Sequence, residues 1–109
     1  MNYKLKRYGH PRFYKLLDEI ADIHSRKNYN YAENGNPLSN LKSSERYFLV
    51  PGSLGTAIRM ADKWERFCQL MKGKQDLVGE SIKDTLKDFA IYCLLEIILL
   101  DEEANKKLK

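Results

Sequence analysis

The run from Asp76 to Glu103, DLVGESIKDTLKDFAIYCLLEIILLDEE, decides the fold. Its first half sets Ile82, Leu86 and Phe89 three or four apart among charged residues, the spacing of an amphipathic helix. Its second half, Phe89 to Leu100, is apolar on every side except at Glu96. A helix that is apolar all round must be covered all round. Twelve residues are too few to span a bilayer and enough for a buried helix. In a chain of 109 residues, complete cover calls for a second subunit, so a homo-oligomer is expected.

Upstream, two more helices are legible. One runs from about Pro11 to Lys27, with Pro11 in its first turn and Phe13, Leu16, Leu17, Ile20 and Ile23 on one stripe. The other starts near Pro51 or Ser53 and runs to about Lys72, with Ser53 as the expected N-cap and Gly73 as its stop. Between them, Asn28 to Gly52 is rich in asparagine and reads as a long loop, with a short helix around Asn40 to Phe48. Tyr29, Tyr31 and Tyr47 on this stretch are candidates either to stack on a base or to cover the core. The expectation is one all-α domain over residues 1–109: a small bundle of three main helices with a long loop, completed by oligomerisation.

The balance of residues is that of a globular chain, 43% hydrophobic and 31% charged. A net charge of +4 suits anionic ligands, but acids and bases interleave along the chain, so nucleic acid is not an expected partner. The basic start, Met1 to Arg12, runs into no apolar stretch with a cleavage site and is not read as a signal peptide. No membrane association is expected, and the location is taken as the cytosol of a cell or of an infected host. Cys68 and Cys93 lack metal-ligand spacing and read as buried thiols; His10 and His24 read as non-catalytic.

The chemistry lies in the carboxylates. Glu80, Asp84 and Asp88 are four apart on the last helix, and Asp62 and Glu65 are three apart on the one before it. Crowded carboxylates at the edge of a core repel one another and raise one another's pKa. A hard divalent cation removes that conflict, and Mg²⁺ is the natural occupant, held by a few carboxylates, waters and substrate phosphates. If the two helices are antiparallel neighbours, Asp62 and Glu65 face Asp84 and Asp88. Arg59, Lys63 and Arg66 are then placed to neutralise phosphate oxygens. The competing reading pairs Lys83 and Lys87 with Glu80 and Asp84 on a plain solvated face. Asp18 and Glu19 on the first helix are expected to face solvent.

The blocks Leu54 to Arg66 (LGTAIRMADKWER) and Val78 to Tyr92 (VGESIKDTLKDFAIY) resemble the small phage and bacterial family called nucleotide modification associated domain 1. That family shows R-x-x-D-K-x-x-R and then E-S-I-x-D-T-L-x-D-L-A-N-Y. Its upstream K-N-x-D-Y-G is approximated here by Lys27 to Ala32, KNYNYA. The resemblance spans about Phe13 to Glu103 and extends to the all-α nucleotide pyrophosphohydrolases, the MazG-like and dimeric dUTPase group. These are Mg²⁺-dependent helical oligomers that cleave nucleoside triphosphates between the α and β phosphates. It implies that the metal ligands are among Asp62, Glu65, Glu80, Asp84 and Asp88, and that Arg59, Lys63 and Lys27 lie near phosphates. This chain departs from the pattern at Asn30, Ala32 and Ile91, which stand where the family has aspartate, glycine and asparagine.

Three functions compete. In the first, Asp62, Asp84 and Asp88 hold Mg²⁺ on a triphosphate while Glu65 or Glu80 activates water, giving a pyrophosphohydrolase of phage nucleotide metabolism. In the second, the same pocket, with Lys27, Tyr31, Arg59, Lys63 and Arg66 on the nucleotide, sequesters it uncleaved, including a signalling nucleotide of host defence. In the third, the chain is a structural partner and the carboxylates are only a solvated face.

Overall fold

The computed structural model describes residues 6–31, 35–75 and 79–107, without the side chains of Tyr31 and Lys107. Over these residues the protein is all-α, with four helices and no strand: α1 (Pro11–Tyr31), α2 (Ser43–Phe48), α3 (Gly52–Met71) and α4 (Ile82–Lys107). None of them is long and apolar enough to cross a membrane.

Helix α1 begins where expected and gains a cap from His10, whose Nδ1 accepts the Arg12 N–H at 3.0 Å. It runs four residues past Lys27, and in this extension the Asn28 amide donates to the Pro37 carbonyl at 2.6 Å, tying the helix to the loop. Its stripe is only partly covered: Ile20 is buried, whereas Phe13 and Leu17 are exposed. Glu19 does not simply face solvent. It pairs with Arg12 at 2.8 Å and with Lys87 of α4 at 3.3 Å, and these bonds hold its carboxyl below the usual range.

The loop supplies the core instead of covering it. The Asn36 side chain accepts the Leu38 N–H at 3.0 Å, an Asx turn that sends Leu38 and Leu41 inward against Leu99 of α4. Tyr92 and Leu95 close the cluster. The short helix α2 starts three residues later than expected and ends at Leu49, which takes a left-handed φ of 59°.

Helix α3 has Pro51, not Ser53, at its N-cap, and a proline side chain cannot accept a hydrogen bond. Its first free N–H groups are capped by carboxylates from elsewhere in the fold: Gly52 N–H donates to Glu45 at 2.9 Å and Ser53 N–H to Glu103 at 3.1 Å. Gly55 lets α2 lie directly on α3, since a Cβ there would fall 2.5 Å from Ser44 Oγ. Gly73, with φ of +88°, ends the helix as expected.

The expected start of the last helix at Asp76 lies outside the described residues, and α4 itself opens at Ile82. Ser81 Oγ accepts the Asp84 N–H at 3.1 Å, and Asp84 returns the bond to the Ser81 N–H at 3.4 Å, a reciprocal cap. Helices α3 and α4 run antiparallel: Ser53 meets Glu103 at one end, the Trp64 ring packs tilted against Phe89, 5.7 Å between centroids, in the middle, and Arg66 meets Glu80 at the other. Leu86, read as core-facing, is 41% exposed, and the two thiols are half-buried.

Glu96 is the one carboxylate with a buried oxygen, Oε1, that has no hydrogen-bond partner among the described residues. Burial, with help from the charge of Glu103, raises its pKa above the ordinary 4.5. An acid whose pKa is raised by folding gives stability that is full below that value and lost as the pH climbs through the folded pKa. Glu96→Gln is therefore expected to add about 1 kcal/mol near neutral pH and to flatten the decline above pH 4.5. Urea midpoints on either side of that pH check it; an unchanged profile would show that the carboxyl is already relieved.

Candidate functional site

A cleft of about 170 Å³ opens where α1, the loop, α3 and α4 meet. Helix α1 contributes His24, Lys27 and Asn28, one face at spacings of three and four. The loop contributes Pro37, Asn40 and Leu41, and α3 contributes Lys63. From α4 come Asp88, Ile91, Tyr92 and Leu95, again one face.

Asp88 is the electrostatic centre. Lys27 reaches its Oδ1 at 2.8 Å and Lys63 its Oδ2 at 3.1 Å. Burial pushes this carboxyl upward, but the two ammonium groups outweigh it and hold the pKa below the ordinary aspartate value. Lys63 also bonds Glu80 Oε1 at 3.1 Å. Burial works against the Lys63 charge, yet the bonds from Glu80 and Asp88 prevail and hold its pKa above the ordinary lysine value. Glu80 continues the ladder: Arg66 donates to its carbonyl at 2.8 Å, and its Oε1 accepts from Thr85 Oγ1 at 3.3 Å.

Of the residues singled out in the sequence, the fold thus gathers Lys27, Lys63, Arg66, Glu80 and Asp88. Arg59 stands behind the loop, donating to Asn40 O at 3.3 Å and Ser43 Oγ at 3.5 Å, so it supports the cleft without lining it. The remaining three carboxylates lie elsewhere. Asp62 is exposed and does not face Asp88; Glu65 is exposed and accepts from Gln69 one turn on; Asp84 caps α4. Glu80 precedes α4 and so does not share a helical stripe with Asp84 and Asp88. The side chain of Tyr31 is outside the described residues.

This arrangement does not fit a resident Mg²⁺. Among the described residues no three His, Cys, Asp or Glu side chains come together as metal ligands. The two carboxylates that do converge already share a cation, the Lys63 ammonium.

His24, Asn40 and Tyr92 line the cleft and were not among the expected site residues. For His24 the signal was present, since it lies on the same helical face as Lys27 and Asn28. For Asn40 there was none, because its position depends on how a turn-rich loop folds. No family model matches the chain, and neither a curated protein nor a solved structure matches it, so the family resemblance rests on the sequence blocks alone.

Proposed function

We propose that the protein binds a nucleotide by its phosphate end and does not cleave it. The observation that carries this reading is the convergence of three separate sequence blocks on one cleft: Lys27 from the first, Lys63 from the second, Asp88 and Ile91 from the third. Lys27 and Lys63 offer ammonium donors to phosphate oxygens, the Asn40 amide offers bonds to a sugar or base, and Ile91, Tyr92 and Leu95 form an apolar wall. The cleft is smaller than the roughly 300–1,000 Å³ of sites that enclose a whole small molecule, which suits one phosphorylated end better than a full triphosphate.

Mg²⁺-dependent pyrophosphohydrolysis is the second reading. It is favoured by the convergence of Glu80 and Asp88 on a single cation. It ranks lower because that cation is a lysine of the chain and because Asp62, Glu65 and Asp84 stand apart.

Phosphorus NMR of the protein with a panel of nucleotides, with and without Mg²⁺, separates the two. Shifted or broadened signals of one nucleotide, with no new resonances, are expected. Lys27→Ala, at a half-exposed position, should leave the fold intact and weaken that binding by about tenfold, the effect of losing one charge-assisted bond. Spectra unchanged across the whole panel would end the proposal. New monophosphate and pyrophosphate signals that require Mg²⁺ would put hydrolysis in its place.

A further inference from the structure

We infer that the groove between α1 and α4 binds a free long-chain carboxylate, its head at the first turns of the two helices and its chain along their apolar faces. The groove is a cavity of about 460 Å³ in which Phe13, Leu16, Leu17 and Ile20 of α1 meet Leu86 and Ala90 of α4. A hollow of about 190 Å³ continues it, sharing Leu17 and Ile20 and reaching Leu94 and Ile98. This surface is open: Phe13, Leu17, Leu86, Leu94 and Ile98 are 39–58% exposed. The main cavity has the size of sites that hold small molecules, about 300–1,000 Å³.

The two helices advance together along the groove, from Arg12 and Lys83 at one end to His24 and Ile98 at the other. From Arg12 to His24 the distance along α1 is about 18 Å at 1.5 Å per residue. That is the extended length of roughly fourteen methylenes at about 1.3 Å each.

The polar groups are gathered at one end. Arg12, Lys83 and Lys87 form the rim there, and from that rim to His24 the lining offers no donor or acceptor side chain. A ligand with polar groups spread along its length would leave them buried and unpaired, whereas a polymethylene chain has none to lose. This argues against a nucleotide, a sugar or an extended peptide as occupant. Helix α4 carries no basic residue between Lys87 and Lys106, so an acidic amphipathic peptide would find cations at one end only.

The rim also specifies the head. Arg12 and Lys87 already share Glu19, at 2.8 and 3.3 Å. Lys83 is exposed and makes no ion pair with the described residues. A head with one negative charge completes the set, which favours a carboxylate over a doubly charged phosphate and over a neutral group. This inference is independent of what the cleft binds.

Calorimetric titration of the full chain with decanoate, dodecanoate and tetradecanoate, each below its micelle concentration, tests it. One site per chain is expected, with affinity rising about two- to fourfold per methylene. Lys83→Ala should weaken dodecanoate binding about tenfold, the effect of one charge-assisted bond. Leu86→Glu, at a position 41% exposed, should abolish it. No binding at any chain length, many sites per chain, or equal affinity of the unmodified chain and Lys83→Ala would overturn the proposal. So would binding to phosphatidylglycerol vesicles without binding of the monomeric acid, which would assign the groove to a membrane surface. A dimer that Leu86→Glu dissociates, in a chain that takes up no carboxylate, would assign it to a second copy. If Leu86→Glu does not fold, Lys83→Ala, at an exposed position, still decides.

Discussion

Truncating Leu99 to alanine is expected to lower the unfolding free energy by about 2–5 kcal/mol. Leu99 is 1% exposed and is the centre of the small core made with Leu38 and Leu41. Its partners lie on a loop, so the vacated space can be closed only by moving the backbone between Asn36 and Lys42. That segment is tied on both sides, by Lys42 to Glu102 at 3.0 Å and by Arg46 to the Ser39 carbonyl at 3.1 Å. Incomplete collapse places the cost in the upper half of the range. For a domain whose whole stability is roughly 5–15 kcal/mol, this is a large share. Urea denaturation followed by Trp64 fluorescence measures it. A loss below about 1 kcal/mol would show that the loop relaxes freely and that the core is less defined than Leu38 and Leu41 indicate.

Lys63→Met is expected to have the second-largest effect on stability, about 2 kcal/mol, together with loss of ligand binding. The ammonium bonds Glu80 and Asp88 at 3.1 Å each, and its side chain is only 24% exposed, so solvent replaces it poorly. Removing it leaves the two carboxylates with only Lys27 on Asp88 and the more distant Arg66 beside Glu80 to compensate. The pH profile identifies the cause. Asp88 has its pKa lowered by folding, so its contribution is full above the ordinary 3.8 and is lost as the pH falls through the lower folded value. Lys63 has its pKa raised, so its contribution is full below the ordinary 10.5 and is lost as the pH rises through the higher folded value. The variant should lose stability at neutral pH and show weaker declines on both flanks. A uniform drop at every pH would mean that the methionine disturbs packing and that the ion pairs contribute little.

Much of the fold was legible because its elements carry local signals. The stripe from Phe13 to Ile23, the stop at Gly73 and the apolar run after Phe89 each fix a helix without help from the rest of the chain. Ser53 misled, because serine before a helical run reads as a cap; the fold instead places Pro51 there and brings Glu45 and Glu103 from distant positions to satisfy the free N–H groups. Such a cap is a tertiary contact and leaves no local mark.

The candidate site was half legible for the same reason. Lys63 and Asp88 converge as the antiparallel packing of α3 and α4 requires, and α1 brings Lys27 to the same carboxylate. Asp84 was assigned to a metal although Ser81-Ile-Lys-Asp84 also reads as a capping box, and the local role is the one the fold uses. Asp62 and Glu65 share a helix with Lys63, but Asp62, one position away, points about 100° elsewhere and Glu65, two positions away, about 200°, and that rotation separates them from the cleft. Spacing gives the face a residue occupies and is silent on which face meets the neighbour.

The segment holding Leu38 and Leu41 has a consequence for how this protein can change. In many scaffolds the recognition loops vary freely because the hydrophobic interior lies in the elements beneath them. Here Asn40 in the cleft wall sits between Leu38 and Leu41 of the interior, on one short stretch of backbone. Insertions or exchanges there would unsettle folding along with selectivity. Divergence toward a new ligand is therefore steered to the helical positions of the wall, His24 and Ile91, where a side chain can be replaced without moving the main chain.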